Sequence, residues 1–178
     1  IGSLDELRVL GLSGNAITTI PSTIGQLSSL THLFLDYNDI DVSIPASIGD
    51  LTSLRELWTN NNDLTGAIPS SIGDLSNLTL LSLSVNNLTG SLPSSIGNLS
   101  LVNALRLDNN ELSGTLPGEI GNLAALTFLD VTNNDFTGQI PSSIGNLTAL
   151  VSLRMSSNTF EGVIPDEFGD LTNLADIS

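Results

Sequence analysis

Cysteine and lysine are both absent from this 178-residue chain, and histidine, tryptophan and tyrosine occur once each. Without cysteine the chain has no disulfide, no thiolate metal site and no cysteine nucleophile. Its cysteine content therefore gives no information about the cellular compartment. A nucleophile that needs a histidine base has only His32 to use. The sequence therefore predicts a protein that is not an enzyme and that holds no cofactor and no metal.

Basic residues are almost as scarce, since four arginines stand against nineteen acidic residues and give a net charge of −15. Such a surface repels phosphate backbones, so nucleic acid is not expected as a partner. No run of eighteen or more apolar residues occurs, and we therefore expect no direct membrane contact from this segment. Aromatic residues make up only 4% of the chain, so its core must be built from leucine and isoleucine.

What the chain does contain is one pattern repeated along its whole length, LxxLxLxxNxLxGxIPxxIGxL, clearest at residues 78–99. The period is 24 residues, with 23 in the first unit. Seven full repeats begin at Leu7, Leu30, Leu54, Leu78, Val102, Leu126 and Leu150, and partial repeats stand at both ends. A fixed period of this length predicts a solenoid, here a single domain over residues 1–178 that we expect to be part of a longer protein.

Each part of the repeat predicts a local structure. LxxLxL is a short strand with one buried face, and stacked copies form a parallel sheet on the concave side. An Asn ends each strand and is expected to join a buried ladder, at Asn15, Asn38, Asn62, Asn86, Asn110, Asn134 and Asn158. Glycine then permits a bend, one proline per repeat closes the next segment, and IGxL forms a tight helical turn on the convex side. Thr59 replaces an apolar residue of the other repeats, so we expect a buried weak point there.

The segment after the Asn, as in Leu64-Thr65-Gly66-Ala67-Ile68-Pro69, resembles the plant-type leucine-rich repeats across essentially the whole chain. The resemblance implies an α/β leucine-rich-repeat solenoid that is right-handed, curved and superhelically twisted, with a second short lateral sheet and 3-10 or short helical turns on the convex side. Members of that family include receptor-kinase ectodomains and secreted inhibitors of cell-wall-degrading enzymes. The chain departs from the family in lacking paired-cysteine caps and in having Val42 in place of a glycine.

Side chains between the leucines of each strand point out of the sheet, and these positions vary from repeat to repeat. The single Trp, Tyr and His gather with one Phe on two neighbouring strands, in a polar surround. This composition is typical of an interface hot spot. The predicted group is His32, Phe34, Asp36, Tyr37, Glu56, Trp58 and Asn60. The alternative is that these aromatic residues pack against a missing N-terminal cap or form a crystal contact.

A second group of candidate ligand-binding residues lies farther along the concave face. Arg106, Asp130 and Arg154 follow one another at one position on neighbouring strands, about 4.8 Å apart, beside Phe128. We expect them to form a ladder of alternating charge. Receptors of the resembled family can hold a peptide's terminal carboxylate with an RxR pair, and this spacing does not match that mode.

Polar sequence features allow several further interpretations. Four Asn-x-Ser/Thr sequons, at Asn77, Asn87, Asn98 and Asn146, fit a secreted glycoprotein, although about four are expected by chance. Residues 36–41 carry oxygen ligands but lack the spacing of an EF-hand, so an Asx-rich turn is favoured over a calcium site. Four repeats carry an acidic residue at the same position, which we interpret as a solvated edge: Asp39, Asp63, Glu111 and Asp135.

The sequence thus predicts a non-catalytic recognition domain that binds a peptide or protein through its concave and lateral faces. We expect it at the cell surface or outside the cell, in a receptor or secreted adaptor, with a co-receptor as a further partner. Alternatives are a secreted inhibitor of cell-wall-degrading enzymes and an intracellular interaction scaffold. Ice binding is a fourth alternative, suggested only by the repeated pairs Ser70-Ser71, Ser94-Ser95 and Ser142-Ser143 on the convex side.

Overall fold

A computed structural model describes all 178 residues as a stack of coils in which each repeat adds one turn. Eight short parallel strands form the concave sheet in chain order. They span Val9–Gly11, His32–Phe34, Glu56–Trp58, Leu80–Ser82, Ala104–Arg106, Phe128–Asp130, Ser152–Arg154 and Asp176–Ile177. Leu33 pairs with Leu57 and Leu57 with Leu81, so equivalent residues of successive repeats stand side by side. The α/β solenoid predicted from the period is confirmed.

The convex side is built from seven 3-10 turns, each starting directly after a proline whose φ lies between −60° and −70°. They span Ser22–Gln26, Ala46–Asp50, Ser70–Asp74, Ser94–Asn98, Gly118–Asn122, Ser142–Asn146 and Asp166–Asp170. The glycine of IGxL is needed because neighbouring coils touch there. A Cβ on Gly49 would stand 2.5 Å from the carbonyl oxygen of Ser71. The role predicted for this glycine is therefore confirmed.

A second, lateral sheet of five parallel strands joins the concave and convex sides. Its strands are Thr65–Gly66, Asn87–Gly90, Glu111–Thr115, Asp135–Gly138 and Thr159–Phe160. Each contains or leads into a glycine in the left-handed region, such as Gly66 with φ +72°, where a side chain is strained. Repeat two has Val42 at that position and contributes only a single bridge between Ser43 and Thr65. The departure seen in the sequence thus marks where the lateral sheet begins.

One apolar core of 39 buried residues runs through the stack from Ile20 to Leu171. Leucine and isoleucine supply most of it, and Phe136 is its only buried aromatic residue. Because each coil is too thin to bury its own apolar face, every repeat depends on its neighbours for this burial. Residues near both ends of the stack are more exposed than those of the interior coils.

The asparagine ladder forms inside the stack but fails at its first member. Asn62, for example, donates from Nδ2 to the carbonyls of Leu35 and Thr59, and its Oδ1 accepts from the backbone N–H of Ile40. Asn110 and Asn158 are half-buried, and the other interior members are buried. The expectation of burial is wrong for Asn15, which is exposed and bonds only within its own turn.

Thr59→Leu is expected to raise the free energy of unfolding by about 1 kcal/mol. Thr59 is only 2% exposed, and its Oγ1 has no hydrogen-bond partner. The substitution removes an unpaired buried hydroxyl and adds apolar volume at a core position. Urea unfolding followed by circular dichroism measures the change, and the isosteric Thr59→Val serves as the matched control. A loss of stability in both variants would show that the hydroxyl does have a partner, whereas a loss in Thr59→Leu alone would show that the site is full.

Candidate ligand-binding surface

The aromatic patch, which comprises His32, Phe34, Tyr37 and Trp58, lies on the concave face of repeats two and three. Phe34 and Trp58 are register partners on adjacent strands, as are His32 and Glu56. The rings of His32 and Phe34 are 6.0 Å apart at an interplanar angle of 42°. No other two rings of the patch pair, so the rings do not form one continuous platform.

Trp58 is held in place by its neighbour two residues earlier. Its indole Nε1 donates to Glu56 Oε2 at 3.0 Å, and the other carboxylate oxygen lies 3.9 Å from His32 Nε2. Glu56 and His32 therefore engage the protein's own side chains, whereas the sequence suggested that they stand free beside the aromatic rings. The contact fixes the indole on a half-buried surface, where a partner can pack against it without having to order it.

The polar members of the predicted hot spot are tied together across the strands. Asp36 Oδ1 accepts from Ser13 Oγ at 2.6 Å, and Asn60 Oδ1 accepts from Ser82 Oγ at 3.2 Å. These contacts give the patch a polar border that is ordered by the protein itself. A hot spot needs such a border, because it excludes water from the aromatic centre.

A turn with positive φ follows each interior concave strand, at the residue before the ladder asparagine. The φ values lie between 52° and 56° at Tyr37, Asn61, Val85, Asn109, Asn133 and Ser157. Asparagine tolerates this left-handed conformation, whereas a β-branched residue is strained in it. Tyr37 and Val85 nevertheless occupy it, with 62% and 43% of their surfaces exposed. The repeat pattern did not predict this turn, although the asparagines at three of the six positions are a signal for it.

The second group of predicted residues forms a cluster around Phe128. The guanidinium carbons of Arg106 and Arg154 lie 4.9 and 5.3 Å from the centre of its ring, which is the geometry of cation–π contacts. Arg154 approaches Asp130 at 3.8 Å and Asp176 at 3.5 Å. Arg106 has no carboxylate within 4.0 Å. Both arginines are register partners of Asp130, so the predicted order of charges on neighbouring strands is confirmed, but only Arg154 comes within ion-pair distance of it.

Asp130 differs from the expectation for an acidic residue of the concave face. It is only 7% exposed, because the neighbouring side chains cover it, and its Oδ1 accepts from the backbone N–H of Thr132 at 3.0 Å. With one hydrogen bond and Arg154 alongside, Asp130 supports the arginine and is poorly placed to meet a ligand directly.

A recess of about 310 Å³, which we call the central recess, joins the aromatic patch to the Phe128 cluster. Tyr37 and Trp58 line the side of repeats two and three, Arg106 and Phe128 line the side of repeats five and six, and Val85 lies between them in repeat four. The charged side chains of Asp108, Asp130 and Arg154 also line the recess. Ser82 and Ser84 lie between the two sides as small, buried residues. The structure thus brings together two groups that the sequence presented as separate, because the intervening repeat has small side chains on its concave face.

The four sequon asparagines, Asn77, Asn87, Asn98 and Asn146, are all exposed and away from the concave strands. Asn98 and Asn146 end the 3-10 turns of repeats four and six, and Asn87 begins a lateral strand. The side chain of Asn77 donates to the carbonyl of Thr52. Sugars at these positions would leave the central recess open.

Two further observations concern metal ions and membranes. No three His, Asp or Glu side chains come together in a way that could hold a metal ion. In the Asx-rich stretch at residues 36–41, Asp36 bonds Ser13 and Asn38 bonds the backbone as a ladder member. None of the helices has the length and apolar character that crossing a membrane requires.

Comparison with known families gives three matches, all to leucine-rich repeats. A leucine-rich repeat region is recognised over residues 94–178, and leucine-rich repeats are recognised over residues 5–64 and 77–99. The chain belongs to the leucine-rich-repeat family. Its second sheet and the LxGxIP segment are those of the plant type, as the resemblance in sequence implied.

Solved structures of other leucine-rich-repeat proteins resemble the chain over nearly its whole length. The ectodomain of the Arabidopsis receptor kinase HAESA, solved with an IDA peptide hormone ligand, is 33% identical with a TM-score of 0.90, covering 99% of this chain and 30% of that one. A leucine-rich-repeat protein of Leptospira interrogans is 34% identical with a TM-score of 0.86, covering 99% and 45%. A plant ice-binding protein is 28% identical with a TM-score of 0.83, covering 94% and 57%.

The chain spans only 24% to 35% of the receptor ectodomains that head these matches. A comparison with curated protein sequences gives no match.

Proposed function

We propose that this leucine-rich-repeat domain recognises a peptide or protein ligand through its concave and lateral faces, outside the cell, as part of a receptor or a secreted adaptor. The observation that carries the proposal is the fixed Trp58 beside the central recess, on the one face whose residues vary between otherwise uniform repeats. A constant framework with a varied, rigid surface is the arrangement expected of a recognition scaffold. A co-receptor as a further partner belongs to the same proposal.

The comparison with HAESA supports a peptide as ligand, because a receptor ectodomain of the same fold was solved with a peptide hormone. Its extracellular setting also supports the proposed location of this chain. Fold similarity alone does not transfer a ligand, so the proposal depends on the residues of the concave face.

Catalysis is not part of the proposed function. The one hydroxyl beside the single histidine is Thr31 Oγ1, 2.8 Å from His32 Nδ1. That hydroxyl donates its only hydrogen to the carbonyl of Arg8, so the hydrogen is not directed at the ring nitrogen that would have to remove it. Leucine-rich-repeat ectodomains are typically binding domains, in agreement with this arrangement.

Selection of a random twelve-residue peptide display library on the purified, immobilised chain tests the proposal. We expect enriched peptides whose binding slows hydrogen exchange in the concave strands 32–34, 56–58 and 80–82. The convex turns 70–74 and 94–98 serve as the internal control, because they lie on the opposite side of the same repeats. Protection confined to the convex turns, or no enriched peptide, would contradict recognition through the concave face.

Glycan analysis provides a prediction about the compartment. Mass spectrometry of the protein from its native source should find sugar on at least one of Asn77, Asn87, Asn98 and Asn146, because all four side chains are exposed. If all four are bare in the native protein, the extracellular proposal loses its support from the sequence, and the intracellular scaffold becomes the favoured alternative.

Ice binding is a second candidate function, favoured by the likeness to a plant ice-binding protein and by one row of hydroxyls. Thr65, Thr89, Ser113 and Thr137 repeat at one phase of the lateral sheet, none of them buried. The convex serine pairs suggested by the sequence are less suitable, because Ser71, Ser95 and Ser143 donate to carbonyls of the preceding coil. Thermal hysteresis of the purified chain decides this alternative, and its absence would remove it.

A further inference from the structure

We propose that the central recess selects peptides in which a carboxylate stands within two residues of a large apolar side chain. Arg106 binds the carboxylate, and Trp58, Tyr37 and Val85 receive the apolar side chain. The proposal rests on the proposed function, since it names the chemistry of the ligand that the concave face would recognise.

Arg106 is the cation of the recess that lacks a counter-ion. The other arginine of the cluster, Arg154, has two carboxylates within 4.0 Å, whereas Arg106 has none in a chain that carries nineteen acidic residues. Its guanidinium is held over Phe128 at 4.9 Å and forms no side-chain hydrogen bond within the protein. A guanidinium presents five N–H donors in a planar fork that matches a carboxylate. Two carboxylates also line the recess, but Asp108 accepts from Ser84 and Asn109, and Asp130 accepts from the Thr132 N–H and lies beside Arg154. Arg106 is therefore the charged group of the recess that is left for a carboxylate of a ligand.

Val85 supplies the second, independent observation. A β-branched residue in the left-handed region is strained, and Val85 has φ 55° while 43% of its surface faces solvent. Asn61, Asn109 and Asn133 show that this turn is made readily with a residue that tolerates the conformation. Backbone strain at an exposed apolar residue is typical of a functional surface. Because Val85 and Tyr37 both line the recess, the strained positions and the free arginine belong to one site.

The spacing of the two walls sets the spacing within the ligand. Trp58 pairs in register with Ser82, and Ser82 with Arg106, so the walls stand two strand separations apart, about 10 Å. Small serines occupy the space between them. In an extended peptide, residues i and i+2 lie about 7 Å apart on one face, and side-chain length covers the remaining distance. A carboxylate and an apolar side chain one or two residues apart therefore reach both walls.

The test uses the peptides enriched from the random twelve-residue library, each made synthetically and titrated by calorimetry. We expect the enriched peptides to share an Asp, Glu or terminal carboxylate within two residues of a large apolar residue. Arg106→Gln should weaken their binding at least tenfold, because a charge-assisted hydrogen bond is lost. Amidation of the peptide carboxylate should weaken binding to the natural chain by the same factor. It should not weaken binding to Arg106→Gln any further. The matched control is Arg55→Gln, which removes an exposed arginine outside the recess and should change Kd less than twofold.

A second variant tests whether the strained turn at Val85 serves binding at the expense of stability. Val85→Asn should raise Tm by about 2–4 °C, since the turn is relieved, while it weakens peptide binding at least fivefold. Enriched peptides that are basic, or that bind Arg106→Gln as tightly as the natural chain, would overturn this proposal. The proposed function would still stand if hydrogen exchange maps those peptides to the concave strands. Failure of every peptide to protect those strands would overturn both.

Discussion

Asn86→Leu is expected to lower the free energy of unfolding by about 4 kcal/mol, a large share of the stability of a domain. Asn86 is buried and joins two repeats: Nδ2 donates to the carbonyls of Thr59 and Leu83, and Oδ1 accepts from the backbone N–H of Leu64, all at 3.0 Å. Leucine has nearly the same size but leaves the backbone N–H of Leu64 unpaired, at about 1–3 kcal/mol. It also removes one of the two donors to each carbonyl, at about 1 kcal/mol each, while Asn62 and Asn110 still bond them.

The matched control is Asn15→Leu, the same change at the exposed first member of the ladder. There the side chain bonds the carbonyls of Leu12 and Ser13, which water can solvate when the amide is gone. We expect a loss below about 1 kcal/mol for this variant. Urea unfolding followed by circular dichroism compares the two, and equal losses would show that position in the repeat matters and burial does not.

The shape of the unfolding transition gives a second measurement on the same variant. In a solenoid each repeat contacts only its neighbours, so cooperativity depends on the interfaces between adjacent coils. Asn86 connects repeats three and four by side-chain hydrogen bonds. Its loss should broaden the transition and lower the m-value, because the two halves become less coupled. The side chain of Asn15 bonds no other repeat, so the control should leave the m-value unchanged.

The framework was predictable because each recurrent position of the repeat has a backbone role. Gly49 is required by contact with the next coil, Gly66 by its positive φ, and Asn62 by three backbone partners. Such requirements recur from coil to coil, so the sequence shows them repeatedly. Asn15 was misjudged because its repeat pattern is intact while its burial depends on a neighbour that the pattern does not describe.

The candidate site was predictable only as far as strand and face. The period places Trp58, Arg106 and Arg154 on the concave side, but their contacts depend on residues that do not repeat. Glu56 captures the indole of Trp58, and Phe128 holds Arg106 away from Asp130. Which partner each side chain contacts depends on its rotamer and on competition between the available partners. The spacing of residues in the sequence predicts neither.

The strained turn at Val85 was missed for a different reason. Six equivalent positions share the left-handed conformation but carry Tyr, Asn, Val and Ser, so no single residue type marks it. The three asparagines are the usual indicator of such a conformation. Comparison of the six positions would therefore have exposed Val85 as the exception, and with it the apolar wall of the central recess.

Trp58→Ala is expected to weaken binding of a selected peptide by about 2 kcal/mol or more, roughly 30-fold in Kd. The indole is the largest side chain of the recess, and its hydrogen bond to Glu56 at 3.0 Å restricts its rotation before a ligand arrives. A partner that packs on it gains apolar contact without ordering a mobile ring. The domain should still fold, because the side chain is only half-buried and the core residue of that strand is Leu57.

Two further variants separate contact with the indole from its positioning. Glu56→Gln keeps an acceptor for the indole and should have a small effect, whereas Glu56→Ala should weaken binding and increase acrylamide quenching of the single tryptophan's fluorescence. Ser152→Ala, on the outward side of the repeat-seven strand and outside the central recess, controls for general effects and should leave Kd unchanged. Calorimetry measures all four variants. Unchanged affinity in Trp58→Ala, together with a loss in Arg106→Gln or Arg154→Gln, would move the site to the Phe128 cluster, because the aromatic patch would then contribute contact area without binding energy.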